Sequence, residues 1–264
     1  MTRRYLARAA VTAECDPSGR TRLTRLRSDG PLAVRETSDA VYLVGAAAGP
    51  LGGDELELDL EVGPGARLTI RSAATTLTLP GDGESRFTVR ARVGEGGHLD
   101  FAPEPTVAAA GCQHRAISDI TLAQGATLRW YEELILGRHR ERPGRHTSRI
   151  DVTHDGLPLL RHELRLDDAS IYGSRAVLGE AKAAGSVVLV GPDLVDEPVT
   201  EEGLVVMPLA GPGVLVSAVA GDSAALRRRL DTGERYASTR PTAGLTGLTG
   251  VAGLSPVDPV RRER

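Results

Sequence analysis

The residues of this chain that could do chemistry are carboxylates and imidazoles rather than nucleophiles. Asp54 follows two glycines in PLGGDELELDL, at the entry to a strand, where a turn aspartate and a ligand are equally good readings. Glu104 stands between two prolines in APEP, whose fixed φ keeps the segment extended and holds the carboxylate in one direction. Glu132 and Glu133 follow Trp130 on a strand otherwise rich in Leu and Ile. Alternation sends one of the two inward, and a buried carboxylate needs a partner, for which nearby Arg138 is the candidate. As hard oxygen donors these acids suit loose handling of a divalent ion, and a transient site avoids the closed thiolate cage of a structural one.

The six histidines, His98, His114, His139, His146, His154 and His162, all lie in one central span. Their spacing offers no i, i+4 helical pair and no alternating strand pair that would present two imidazoles together. His139 and His146 fall in the arginine-rich stretch GRHRERPGRH and read as solvated loop residues. His98, placed in a turn, is at most a weak metal candidate. The chain has no G-x-S-x-G elbow, no zinc-protease helix and no G-x-x-x-x-G-K-[ST] loop.

The elements that must position these groups are strands. ELELDLEV, RFTVRARV, ISDITL and HELRL alternate, with Gly63-Pro64-Gly65, Gly81-Asp82-Gly83, Gly94 to Gly97 and Asp155-Gly156 as turn signals between strands. One phrase recurs three times, as VGPGARLTI, VGEGGHLDF and LAQGATLRW; aligning Leu68, Leu99 and Leu128 gives steps of 31 and 29 residues. That period predicts a mainly β, single β-rich domain of stacked antiparallel or solenoid-like hairpin repeats, because one hairpin cannot bury its own apolar face. A dinucleotide loop is a poor reading of the glycines, since a strand rather than a helix follows. A short helix is expected near the carboxyl end in GDSAALRRRLDTGE, with Asp222 or Ser223 capping it and Gly233 closing it. The simplest division is a β-rich domain over residues 1–239 and a flexible or partner-ordered tail over 240–264.

Composition narrows the function classes. Only 3% of residues are aromatic and the net charge is -3, which argues against a nucleic-acid surface. Among 32 basic residues Lys182 is the one lysine, a bias we read as genomic. Two cysteines without a CxxC fit a reducing cytoplasm, and no run of apolar residues is long enough for a signal peptide or a membrane span.

The order LRSDGPLAVRE, AGPLGGDELELDLEVGPGARLTIRSAATTLTL, GGHLDFAPEPTV and LRWYEELILGR resembles the urease accessory proteins called UreD, or UreH in some organisms. The most specific pieces are Gly52-Gly53-Asp54, Ser72-x-x-Thr75, Pro103-x-Pro105, and Trp130-x-Glu132 followed by Gly137-Arg138. The resemblance implies a helix-poor β fold and a non-catalytic scaffold that binds UreF, through it the GTPase UreG, and apo-urease, so that nickel reaches the urease active site. It also implies an internal polar passage for nickel in transit. On that reading Asp54, Ser72, Thr75, Glu104 and Glu132 line the passage or its mouth, and Arg138 orients Glu132. Any nucleotide would be bound by a partner. The loop HRERPGRH and the carboxyl end VDPVRRER depart from the family pattern, which leaves their partner contacts open. The rival readings are a β-solenoid enzyme acting on polysaccharide, which needs paired acids along an exposed aromatic groove, and a metal-independent protein-binding module.

Overall fold

In the computed structural model, which describes residues 4–46 and 49–238, the chain coils between two facing sheets. It starts with β1 (Leu6–Cys15), β2 (Thr21–Arg27), β3 (Leu32–Glu36) and β4 (Val41–Gly45). A first coil follows, built from β5 (Glu55–Val62), β6 (Arg67–Ser72) and β7 (Thr76–Thr78), and a second from β8 (Ser85–Val93), β9 (His98–Phe101) and β10 (Thr106–Ala108). The third has β11 (Gln113–Leu122) and a long β12 (Thr127–Leu136). Next come β13 (Arg145–His154), β14 (Leu157–Leu166), the single turn α1 (Ala169–Tyr172), β15 (Ala183–Val190), β16 (Val199–Glu201), β17 (Leu204–Pro208), β18 (Gly213–Ala220) and α2 (Ser223–Ser238).

Stacking is the solenoid expected from the repeat, but the repeated unit is not a hairpin. β5 and β6 never pair with each other: β5 lies in a seven-stranded sheet of order β14-β13-β11-β8-β5-β1-β2, and β6 in an eleven-stranded sheet whose main path is β16-β17-β18-β15-β12-β9-β6-β4-β3. Each glycine turn carries the chain across the core, and the next coil adds in parallel, β5 to β8 to β11 and β6 to β9 to β12. Antiparallel pairing is confined to the two ends of the stack, as in β13 with β14 and β15 with β18. The three aligned leucines are register partners, Leu68 opposite Leu99 and Leu99 opposite Leu128. In each turn one glycine adopts the left-handed conformation that other residues resist, Gly65 at φ 69°, Gly96 at 62° and Gly125 at 68°. The earlier glycine of the phrase is not left-handed: Gly94 is held by a close approach, since a Cβ there would meet Pro64 N at 2.8 Å, while the third copy carries Ala123 at that place.

Side chains of the two inner faces meet in tiers. The end of the strands next to the glycine turns is dry: Leu60, Ala91, Ile120 and Val152 form a tier of the seven-stranded sheet, facing Leu68, Leu99 and Leu128 of the other. Trp130 is fully buried there and stacks on Phe101 with ring centres 4.0 Å apart. Outside, α2 covers the larger sheet through Leu226 and Leu230 against Val187, Val206 and Val216. Asp222 caps it, accepting from Ala225 N at 2.7 Å. The helix does not close at Gly233 but passes through it to Ser238, because an unsubstituted Cα is what lets it sit against Val216. Thr239 and the proposed tail, 240–264, lie outside the described residues. Among the described residues no helix is long and apolar enough to cross a membrane.

Candidate functional site

Towards the other end of the strands, away from the glycine turns, the tiers turn polar. On the seven-stranded sheet, register places Ser118 beside Val89 and Ile150, and one tier further on Ala116 beside Ser148. The last tier carries Ser85, His114 and His146 side by side. Opposite them, Glu132 pairs with Ser186, and Ser186 with Ser217. Small and polar residues at positions that hold Leu and Val elsewhere leave a cavity of about 530 Å³ between the sheets. Its wall includes Asp54, Ser72, Ser118, Glu132, His146 and His162.

Glu132 is the inward member of its pair. Its Oε1 accepts from Ser118 Oγ at 2.9 Å and from Trp130 Nε1 at 2.8 Å. Among the described residues nothing donates to Oε2, so one oxygen is anchored and the other faces the cavity. Enclosure between the sheets pushes the carboxyl pKa up, while the hydrogen bonds from Trp130 and Ser118 pull it back. Arg138 is not its partner. The β-turn after β12 takes Arg138 out of the strand, where it clasps Glu141 through Nε at 2.8 Å and Nη2 at 2.6 Å, and Gly137 only turns the chain beside it.

Glu133 points the other way and is buried as well, beneath α2. It accepts from Tyr131 Oη at 2.9 Å and from Arg227 Nε at 2.8 Å. The same guanidinium reaches Glu104 Oε2 at 2.6 Å, so Glu104 is tied to α2 at the rim of the cavity. Ser72 helps to hold that segment, its Oγ accepting from Glu104 N at 2.8 Å and donating to Ala74 O. Thr75 is exposed at the rim, Pro103 lines the cavity, and Pro105 is buried outside its wall, its carbonyl accepting from Thr76 N.

Asp54 faces the cavity yet its oxygens are engaged: Oδ1 accepts from Tyr5 N at 2.8 Å and Oδ2 from Leu51 N at 2.9 Å. It clamps the turn in which Gly52 and Gly53 stand. A side chain on Gly52 would strike the backbone of Gly81 and Gly83 within 2.7 Å, so this glycine serves a close crossing of two loops. His98 is removed from the site altogether. It opens β9 rather than lying in a turn, half-buried on the outer face, with its Nδ1 2.8 Å from Thr127 Oγ1.

His146, His114, Ser118 and Ser186 are among the cavity residues that escaped the sequence reading. His146 belongs to β13 and is 4% exposed, not a loop residue, and His114 is its register partner with ring centres 5.5 Å apart. Ser118 and Ser186 had no motif to announce them. The signal that finds them is parity: counting back by twos from Leu122 and Ile120 puts Ser118 and His114 on the inner face. Among the described residues no three His, Cys, Asp or Glu side chains converge into a metal cage. The cavity has a wall of separate donors, suited to passing contact with a cation. The polysaccharide reading finds no support, since the one tryptophan lies inside the core.

The family model described as "UreD urease accessory protein" matches residues 6–245. A protein of Frankia casuarinae named urease accessory protein UreD is 42% identical, over 88% of this chain and 89% of its own. Proteins of the same name from a Parafrankia species and from Streptomyces coelicolor are 46% and 43% identical, over 86% and 85% of this chain and 86% and 94% of their own.

Proposed function

Since this chain belongs to the UreD family of urease accessory proteins, we propose that it is a non-enzymatic scaffold of urease maturation that carries nickel through its internal cavity. On this reading it binds UreF, through UreF the GTPase UreG, and apo-urease, in the cytoplasm, with nickel as cargo rather than resident cofactor. The observation that supports it most is the second oxygen of Glu132, open to a cavity in which Ser118, Ser186, His114 and His146 interrupt a wall of apolar side chains such as Leu43, Phe87 and Phe101. An anchored oxygen and a free one let an anionic donor meet a cation without a cage that would retain it. Asp54 lends negative charge near the same cavity while its hydrogen bonds keep the entry turn in shape. Glu104 and Thr75, at the rim, are placed to meet a partner.

The experiment is reconstitution. The purified chain, mixed with UreF and then with apo-urease, should co-elute with both on size-exclusion chromatography. Elution of this chain by itself in the presence of both would remove the scaffold reading.

A further inference from the structure

We infer that His114 and His146 form a two-imidazole station for a borderline divalent transition-metal ion on the wall of the cavity. The reading of the cavity as a nickel route supplies the identity of the ion; the site itself is argued from geometry. β11 and β13 run in parallel with His114 and His146 directly opposite, both buried and both lining the cavity, with ring centres 5.5 Å apart and planes tilted by 35°. An ion bound at about 2.0–2.1 Å to one nitrogen of each ring lies roughly 3.2 Å from each ring centre, so two imidazoles on a tetrahedral ion stand roughly 5 Å apart. The observed spacing is close to that without movement of either strand.

The hydrogen bonds around His114 prepare it. His114 Nδ1 lies 2.8 Å from Ser85 Oγ, which also lies 3.3 Å from Gln113 O and can donate to it. In the tautomer with the proton on Nδ1 the ring donates to Ser85 and the Nε2 lone pair is left for a ligand, the arrangement in which a second partner orients a ligating histidine. Ser85 is itself fully buried, so the bond is shielded from water. His146 supplies the independent observation: its Nδ1 is buried and meets no hydrogen-bond partner. Such a deficit costs stability unless something satisfies it, and a cation would. Burial also holds both rings neutral, His114 well below its usual pKa and His146 down to about 4, which is the form that binds metal. With two protein donors and no third His, Cys, Asp or Glu converging among the described residues, the other coordination positions fall to water. Such a site exchanges its ion readily.

The probe is Ni²⁺ or Co²⁺ added to the full chain, with no urease present. In proton NMR, substoichiometric Co²⁺ should broaden the ring signals of His114 and His146 before those of His139 and His154; broadening of the latter two with the first two sharp would overturn the site. By calorimetry, Ser85→Ala should weaken Ni²⁺ binding on the order of 10- to 100-fold, and His114→Gln with His146→Gln should abolish one site. Unchanged affinity in folded variants would equally overturn it. The spectrum of the unaltered chain decides the matter even where a variant fails to fold. A chain that co-elutes with UreF and apo-urease yet keeps both rings sharp loses this station only; one whose rings broaden without forming that complex loses the scaffold reading instead.

Discussion

Arg227 of α2 donates through Nε to Oε1 of Glu133 at 2.8 Å, across 94 residues of chain and beneath a helix that leaves the carboxylate without solvent exposure. This bond locks α2 to the larger sheet at the strand that also presents Glu132 to the cavity. Removing only the cation strands a buried charge. Arg227 is itself 43% exposed and Glu133 keeps its bonds from Tyr131 and Ser223, so Arg227→Ala should destabilise the fold by about 1–3 kcal/mol, whereas Arg227→Met with Glu133→Leu should recover most of it. Urea unfolding of the three proteins checks this, and a single variant as stable as the parent would contradict it.

Acid should unfold the protein through its buried imidazoles. Burial lowers the pKa of His114, His146 and His162, that of His146 to about 4. Between the unfolded value near 6.5 and about 4 the unfolded chain binds more protons than the folded one, so stability is full above this window and falls as pH falls through it. The contribution of His146 is on the order of 3 kcal/mol. The urea midpoint should drop between pH 7.5 and 5, and the drop should shrink in His146→Leu. A midpoint that holds steady across the window would count against neutral, buried rings.

The turn glycines should differ sharply in cost. Gly125 needs a left-handed backbone, so Gly125→Ala should cost roughly 1–2 kcal/mol. Gly63, whose added Cβ would meet its neighbours at 3.4 Å or more, should accept alanine with little change, as the third copy already does with Ala123. Thermal melts of the two variants would show the contrast; equal losses would refute the assignment of the turn.

Trp130 is the one tryptophan and its indole N–H donates to Glu132. It is a built-in reporter of the cavity. Its emission should be that of a buried ring, and Ni²⁺ should quench it in the parent but far less in Glu132→Gln. Equal quenching in both would separate Glu132 from the metal.

The sequence was legible where periodicity carries the information. The three-fold phrase gave the stacking and even the register, because Leu68, Leu99 and Leu128 fill equivalent places in successive coils. It did not say that the turns cross between sheets, since an alternating strand reads the same whether its neighbour in sequence is its neighbour in the sheet. Asp54 and Glu132 were visible as acids beside turns and apolar strands. The partners were not: Arg138 is near Glu132 in the chain, but a turn diverts it, while the cation that matters to the adjacent Glu133 comes from α2. The histidine pair was hidden for a different reason. His114 and His146 stand about one repeat apart, and the paired-imidazole pattern emerges only when strands one coil apart are laid side by side.

We propose that nickel passes Glu132 on its way to urease. This step is tested most directly by measuring nickel per urease active site after activation in the presence of this chain and of Glu132→Gln, a variant that keeps the shape and loses the charge. An intact complex with UreF and apo-urease is expected in both cases, with markedly less nickel in urease activated with the variant. Full nickel occupancy with Glu132→Gln, the complex being equally formed, would contradict it.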